Sequence, residues 1–306
     1  MIAWNAGEFR AAYDPARHPA SRRATARAAL MVEPTGIALS AESASDNRYM
    51  DLAQRIDPER AVAQHRVLAD AIRRHARIPV ESFAGSPDTP DAVFPNNVYG
   101  TTEGRALIGA MRHEVRRREA ARDDIVAWLA RDRALLRVQD LGDGVVAELT
   151  GPLVIDRARG IGWHGRTERL NDAGVRALHD GFGLALSYAF DLVPTEYHTN
   201  VVMAVLAGRV LVVHPGSLVD PEAADAIASV YGDRVIRLDD EEKAAFCGNC
   251  IALSEDTVWM SARAERGLGY AHRRVLDRAG LTIHTAEIDE IEKAGGSLRC
   301  CVAEVF

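Results

Sequence analysis

Apolar residues along this chain recur in short bursts separated by helical stretches. Ala29-Leu-Met-Val-Glu-Pro34 reads as a buried strand stopped by proline. Residues 51–75 space Leu52, Ile56, Val62, Val67, Leu68 and Ile72 among charges, which predicts an amphipathic helix. A strand over Ile78–Phe83 follows, then a turn-rich run ending at Asp91 and a short strand over Ala92–Phe94, closed by Pro95. Further strands are predicted at Arg105–Met111, Val145–Leu149, Leu153–Asp156 and Ile161–Trp163. Helices are predicted over Arg118–Ala130 and over Asn171–His179, the second capped near Asn171. Val201–Leu206 and Val210–His214 read as a hairpin around Ala207-Gly208. The pattern continues with a helix over Pro221–Tyr231, strands over Val235–Leu238 and Thr257–Met260, and a helix over Ala264–Ala279. Strands over Thr282–Thr285 and Cys300–Phe306 end the chain.

Strands and helices alternate, which is an α/β pattern, yet the strands come in twos and threes per helix. That departs from a simple doubly wound sheet. No Pro/Ser-rich linker divides the chain, so one domain over residues 29–306 is expected, preceded by an extension over residues 1–28 that packs on it as a helical segment. Roughly 280 residues divided among five strand–strand–helix–strand units gives about 55 residues each, a fitting size for such a repeat.

Composition narrows the function classes. The chain has 306 residues, 47% apolar and 26% charged, so it has the material for a sizeable core. Its 37 Lys+Arg face 44 Asp+Glu, a net charge of −7, which disfavours a nucleic-acid partner. No uninterrupted apolar window suits a membrane span, because Val201–Val213 is broken by Gly208 and Arg209. The N-terminus lacks the apolar core of a secretory signal, although residues 1–29 carry five Arg and only two acids, in loose similarity to a transit peptide. The four cysteines, Cys247, Cys250, Cys300 and Cys301, are too few and too clustered for a disulfide scaffold. A reducing cytoplasmic setting is expected. Cys247-Gly-Asn-Cys250 has redox or zinc spacing, but the only other cysteines are adjacent and poorly suited to complete a metal site. No metal and no cofactor is expected.

Three residue types then stand out. Glu148 lies within Val145-Val-Ala-Glu-Leu149, where a carboxylate needs a partner. His198 lies in Glu196-Tyr-His-Thr-Asn200, at a strand edge. Cys300 follows the loop Gly295-Gly-Ser-Leu-Arg299, whose arginine would favour the thiolate. Each taken alone also fits a structural role. A thiol, an imidazole and a buried carboxylate together are the parts of covalent thiol chemistry on a cationic substrate.

Five segments, in order, resemble the guanidino-group-modifying enzymes of the pentein superfamily. They are Pro90-Asp-Ala-Val-Phe-Pro-Asn-Asn97, Glu148-Leu-Thr-Gly151 through Arg157, Gly165-Arg-Thr167, Tyr197-His-Thr-Asn200 and Gly295-Gly-Ser-Leu-Arg-Cys300. The pattern is most similar to citrulline-utilisation hydrolases, or amidinotransferase-related proteins, with Asn96-Asn97 in place of an acidic pair and Phe246-Cys-Gly-Asn249 as a further matching segment. The resemblance implies a five-bladed α/β propeller with its site on the pseudo-fivefold axis. It implies Cys300 as nucleophile, His198 as general acid and base, and Glu148 as the group that orients a guanidinium. Asn97, Asn96, Asp91 and Asn249 would line the substrate, and Arg166 would hold a substrate carboxylate, with Arg116–Arg118 a weaker candidate for that role. The implied partner is a small guanidino or ureido compound such as arginine, with self-association left open. The implied activity is hydrolysis by a deiminase or dihydrolase. Amidino transfer to an amine, or binding without catalysis, are the alternatives.

Overall fold

The computed structural model describes residues 1–306 as five separate three-stranded units arranged in sequence. Each unit pairs an antiparallel hairpin with a third, parallel strand. In one unit Tyr99–Thr102 runs antiparallel to Arg105–Ile108, which runs parallel to Ala134–Arg137. The next is built in the same way from Leu153–Asp156, Ile161–Arg166 and Leu186–Asp191. Met203–Leu206, Val210–Val213 and Val235–Arg237 form another. Ile251–Ser254, Thr257–Ser261 and Thr282–Ala286 form the fourth. In the fifth, the C-terminal strand Ala303–Val305 pairs antiparallel with Ala28–Val32, which runs parallel to Val80–Phe83. The last strand of the chain thus joins the sheet of Ala28–Val32 and closes the propeller.

The crossover to each parallel strand needs a helix, and the local sequence supplies its signals. Asp57 caps the helix Pro58–His75, with proline at its first position, so the helix starts later than the apolar spacing from residue 51 suggested. Asn171 accepts a hydrogen bond from the Gly174 N–H and caps Asp172–Phe182, which ends at left-handed Gly183. The helix read over Arg118–Ala130 is two, Glu114–Ala120 and Asp123–Leu129, and that over Ala264–Ala279 is also two, Ala262–Gly267 and Tyr270–Arg278, broken at Leu268-Gly269.

Two expected strands are not strands, and a third is shortened. Ala92–Phe94 is a turn, closed by the Phe94 N–H on the Asp91 carbonyl, and leads into a 3₁₀ turn over Pro95–Asn97. Val145–Leu149 makes only isolated bridges through Ala147, because Leu149 takes a positive φ of 37°. Cys300 and Cys301 lie in the 3₁₀ turn Leu298–Cys301, and the terminal strand starts only at Ala303. The strands Tyr99–Thr102, Ala134–Arg137, Leu186–Asp191 and Ile251–Ser254 lack a sequence expectation of their own and complete the five sheets.

At the N-terminus, Ile2–Ala3 adds a parallel fourth strand beside Leu186–Asp191. The helix Ala6–Ala12 buries Phe9 against Trp163 and Tyr188, with ring centroids 5.2 and 5.3 Å apart.

Candidate active site

One structural position recurs in every unit: the segment just before the first strand of the hairpin. Asn96 and Asn97 precede Tyr99–Thr102, Glu148 precedes Leu153–Asp156, and His198 precedes Met203–Leu206. Asn249 precedes Ile251–Ser254, and Cys300 precedes Ala303–Val305. Because the first strands surround one axis, these five segments meet at one end of it. All of the named side chains are buried, with Glu148, His198 and Cys300 each at 1% exposure or less.

His198 and Glu148 are hydrogen-bonded, Nε2 to Oε2 at 2.9 Å. A carboxylate only accepts, so His198 carries its proton on Nε2 and leaves Nδ1 as a free base. Gly151 makes room for this ring, since a Cβ there would lie 2.6 Å from His198 Cε1. Tyr197 packs against the same ring at a centroid distance of 4.4 Å. Arg169 Nη1 meets the same Glu148 oxygen at 3.0 Å, and its Nε donates to Asp46 at 2.9 Å. Burial, the largest influence on Glu148, favours the neutral acid, but Arg169 and His198 outweigh it and hold the carboxyl well below its ordinary range. Burial likewise pushes the His198 imidazolium pKa down, against the opposing pull of Glu148.

The thiol sits in a cradle of amides. Asn249 Nδ2 donates to Cys300 Sγ at 3.3 Å and to the Asn200 carbonyl at 2.8 Å. Asn200 Nδ2 lies 3.8 Å from the same sulfur, on the helical turn that begins at His198. Asn200 thus joins the thiol to the turn that His198 opens. Burial raises the Cys300 pKa, and the Asn249 hydrogen bond only partly offsets it. Arg299 favours the thiolate as the sequence suggests, but weakly, because its guanidinium turns away to Glu304 at 3.0 Å and to the Val302 carbonyl. Cys301 points elsewhere, to the Ser297 carbonyl at 3.5 Å. The expectation that a strand's alternation separates the two cysteines does not hold; the 3₁₀ turn does it. The loop before Cys300 is pinned at Gly295, whose carbonyl accepts from Tyr197 Oη at 2.7 Å and from Asn47 Nδ2 at 3.2 Å.

The other predicted residues divide. Asp91 is buried and accepts from Ser43 Oγ at 2.5 Å, and burial raises its pKa. Asn96 is committed to the neighbouring unit, its Nδ2 donating to the Thr150 carbonyl at 3.2 Å while Thr150 Oγ1 returns a bond to its own carbonyl. Asn97 is buried with Oδ1 unpaired. Arg166 is not brought to the site. It ends the strand Ile161–Arg166 on the Glu148 side of the sheet, but Asp172 at 3.0 Å and Asp191 at 2.8 Å hold its guanidinium near the surface. Of the Arg116–Arg118 cluster, Arg116 is buried beside Glu119 at 3.0 Å, with Nη2 on the Phe94 carbonyl. Cys247 donates to the Ala264 carbonyl, and Cys247 and Cys250 are both buried free thiols.

The sequence reading misses Arg169, Asn200 and the segment Ser43–Tyr49. Arg169 stands three residues after Arg166, and a buried Glu148 demands a cation, so counting both arginines as its candidates is the signal that was available. The Ser43–Tyr49 segment lies over the site through Ser43, Asp46, Asn47 and Tyr49, whose hydroxyl donates to Glu196 at 2.6 Å. Its partners are all distant in sequence, so no local pattern betrays it.

The model of the family described as N,N-dimethylarginine dimethylhydrolase, eukaryotic, matches residues 33–306. The chain belongs to that family. This dimethylarginine dimethylhydrolase relative is 21% identical to the uncharacterised protein YkgA of Bacillus subtilis (strain 168), over 78% of this chain and 77% of the other. Among solved structures, the N-terminal domain of ArgZ, a cyanobacterial arginine dihydrolase, bound to its substrate superposes with a TM-score of 0.77 at 19% identity, covering 91% of this chain and 97% of that one. A dimethylarginine dimethylaminohydrolase carrying an S-methyl-L-thiocitrulline adduct superposes at 0.70 and 19% identity, over 92% and 100%. The fold of this family member is thus the pentein propeller, within the guanidino-modifying superfamily. No helix in it is long and apolar enough to cross a membrane.

Proposed function

We propose that the protein hydrolyses C–N bonds of an arginine-like guanidino compound, with Cys300 as nucleophile, His198 as proton carrier and Glu148 as guanidinium anchor. One observation carries this reading. Asp91 Oδ1, Asn96 Oδ1, Asn97 Oδ1, Glu148 Oε1, Asn249 Oδ1 and His198 Nδ1 are all buried and unpaired. An unpaired buried polar atom costs about 1–3 kcal/mol. Acceptors in such number call for a ligand rich in N–H donors, and a planar guanidinium supplies them in a fork that matches a carboxylate.

The chemistry follows from the protonation states. In the free enzyme the raised Cys300 pKa favours the thiol, and His198 is neutral. A guanidinium beside the sulfur supplies the positive charge that favours the thiolate. The thiol proton passes to His198 Nδ1 as sulfur bonds to the guanidinium carbon. His198 then protonates the departing nitrogen, and the C–N bond breaks to leave a thiouronium on Cys300. Water attacks that carbon while Nδ1 takes its proton. The C–S bond breaks, the proton returns to sulfur, and a ureido product is released.

Asn97 favours a second round. A carboxylate at this position would repel the new ureido oxygen, whereas an amide both donates and accepts. Asn96 is held by Thr150, which leaves Asn97 as the amide for this role. A second attack on the ureido carbon would release another ammonia and carbon dioxide and leave a free amine. ArgZ, an arginine dihydrolase by description, supports that outcome. Transfer to an amine acceptor is not favoured, since the compared enzymes are hydrolases. The test is ammonia released per arginine or citrulline consumed, and dimethylamine released per dimethylarginine consumed. Two ammonia per arginine and turnover of citrulline support the dihydrolase. One ammonia with citrulline untouched leaves a deiminase. No release from any of the three overturns the reading.

A further inference from the structure

The opposite end of the propeller carries a cavity that the catalytic reading does not use. The site segments stand before the first hairpin strands, so the hairpin turns lie at the other end, about 13 Å away for a four-residue strand. There the turns Thr102–Gly104 and Arg157–Gly160, together with residues 22–27, surround a cavity of about 690 Å³. That volume is typical of a small-molecule site.

Its lining is strongly cationic on a chain of net charge −7: Arg22, Arg23, Arg27, Arg133 and Arg157 face it, against Glu103 and Asp132. Asp132 is already bonded to Arg133 at 2.5 Å. The other four arginines form no ion pair, and three of them are positioned by other means. Arg23 is fixed by the Thr25 and Ala26 carbonyls at 2.8 and 3.3 Å. Arg22 lies over Gly160, where a Cβ would come within 2.4 Å of its Nη1. Arg157 donates to the Thr101 carbonyl at 3.1 Å and stacks on Phe306, its Cζ 4.2 Å from the ring centroid. The Nε of Arg157 is buried and unpaired, and Glu304, the acid whose charge it feels most, is taken by Arg299. Burial lowers the Arg157 pKa to about 10, so it remains charged at neutral pH.

Guanidiniums that repel one another, held in place by rings and carbonyls, lower their energy by binding negative charge. Arginine forks suit phosphate in particular. Phe182, Phe306 and Leu184 add an apolar wall for an organic portion. We propose that this cavity binds a small multivalent organic anion, of the class of phosphorylated metabolites.

The test is calorimetric titration of the whole chain at low ionic strength with pyrophosphate, ATP and citrate as separate probes, comparing the native protein with an Arg22→Ala/Arg27→Ala variant. Both side chains are exposed and without intramolecular hydrogen bonds, so the fold and the guanidino activity should persist. Binding of pyrophosphate or ATP that weakens about tenfold for each guanidinium removed supports the site, as expected for lost charge-assisted bonds. ATP binding more tightly than pyrophosphate assigns the apolar wall to the organic portion, and citrate binding as tightly as both widens the class to polycarboxylates. Absence of binding at millimolar probe, or equal binding by native and variant proteins, overturns the proposal. So does variant-sensitive binding to duplex DNA or anionic vesicles when none of the small probes binds.

Discussion

The two ends of the propeller handle charge in opposite ways. At the catalytic end the guanidinium of Arg169 is buried and answered by Glu148 and Asp46, and the atoms left without partners are mostly acceptors. At the hairpin-turn end the guanidiniums of Arg22, Arg23, Arg27 and Arg157 lack carboxylate partners around an open cavity. The same five-fold frame thus builds one end complementary to a cation and the other complementary to an anion. What decides the difference is which loop side chains each unit presents. The strands between them are largely apolar and serve both ends alike.

Catalysis should separate the ends most sharply. Cys300→Ser is expected to lower kcat for guanidino hydrolysis by roughly 10⁴-fold or more, as loss of a nucleophile does in other covalent enzymes. Cys301→Ala should keep most activity, because its sulfur faces Ser297. Equal losses in the two variants, read by ammonia release, would erase the distinction between these neighbours.

Stability gives the next largest contrast. Arg169→Ala breaks a buried ion pair and should cost about 3–5 kcal/mol in denaturant unfolding at neutral pH. Glu148 has a folded-state pKa lowered below its ordinary 4.5, so its contribution is present above that value and lost as pH falls through the folded-state pKa. The native protein should therefore lose more stability than Arg169→Ala on acidification below about 4.5. Parallel pH curves would contradict the pairing.

Two glycines compare the ends directly. Gly151→Ala places a methyl against the His198 ring and should reduce kcat/KM by about 100-fold through misplacement of the base. Gly160→Ala, at a φ of 69° in the cavity wall, should cost about 1 kcal/mol of stability and leave turnover unchanged. The smallest effect is expected at Asn249. Its hydrogen bond favours the Cys300 thiolate, so the alkylation rate of native Cys300 by iodoacetamide should rise with pH toward a midpoint above 9. Asn249→Ala should move that midpoint higher. A downward movement would contradict the amide cradle.

Much of this frame was legible in the sequence, for identifiable reasons. Unbroken apolar strands such as Val210–Val213 and capped helices such as Asp172–Phe182 announce themselves through local pattern. Glu148 stood out because a carboxylate within an apolar run needs a partner. The failures lie where backbone conformation is set by distant contacts. Leu149 and Phe246 take positive φ, of 37° and 65°, next to site segments, a conformation that costs a non-glycine residue about 1–2 kcal/mol and that no propensity predicts. Arg166 and Arg169 are three residues apart on one turn, and only the fold decides that Asp172 and Asp191 claim the first while Glu148 claims the second. The cationic cavity was hidden for the same reason, since residues 22–27, Arg133 and Arg157 meet only after the chain closes.

The central claim is that Cys300 bonds to the guanidinium carbon during turnover. Rapid acid quenching of the enzyme with arginine, followed by peptide mass spectrometry, tests it most directly. The account predicts an adduct of arginine less ammonia on the peptide carrying Cys300, located to that residue by fragmentation and absent in Cys300→Ser. Turnover without any such adduct in the steady state and in the first turnover, together with activity retained in Cys300→Ser, or an adduct located on Cys301, would contradict it.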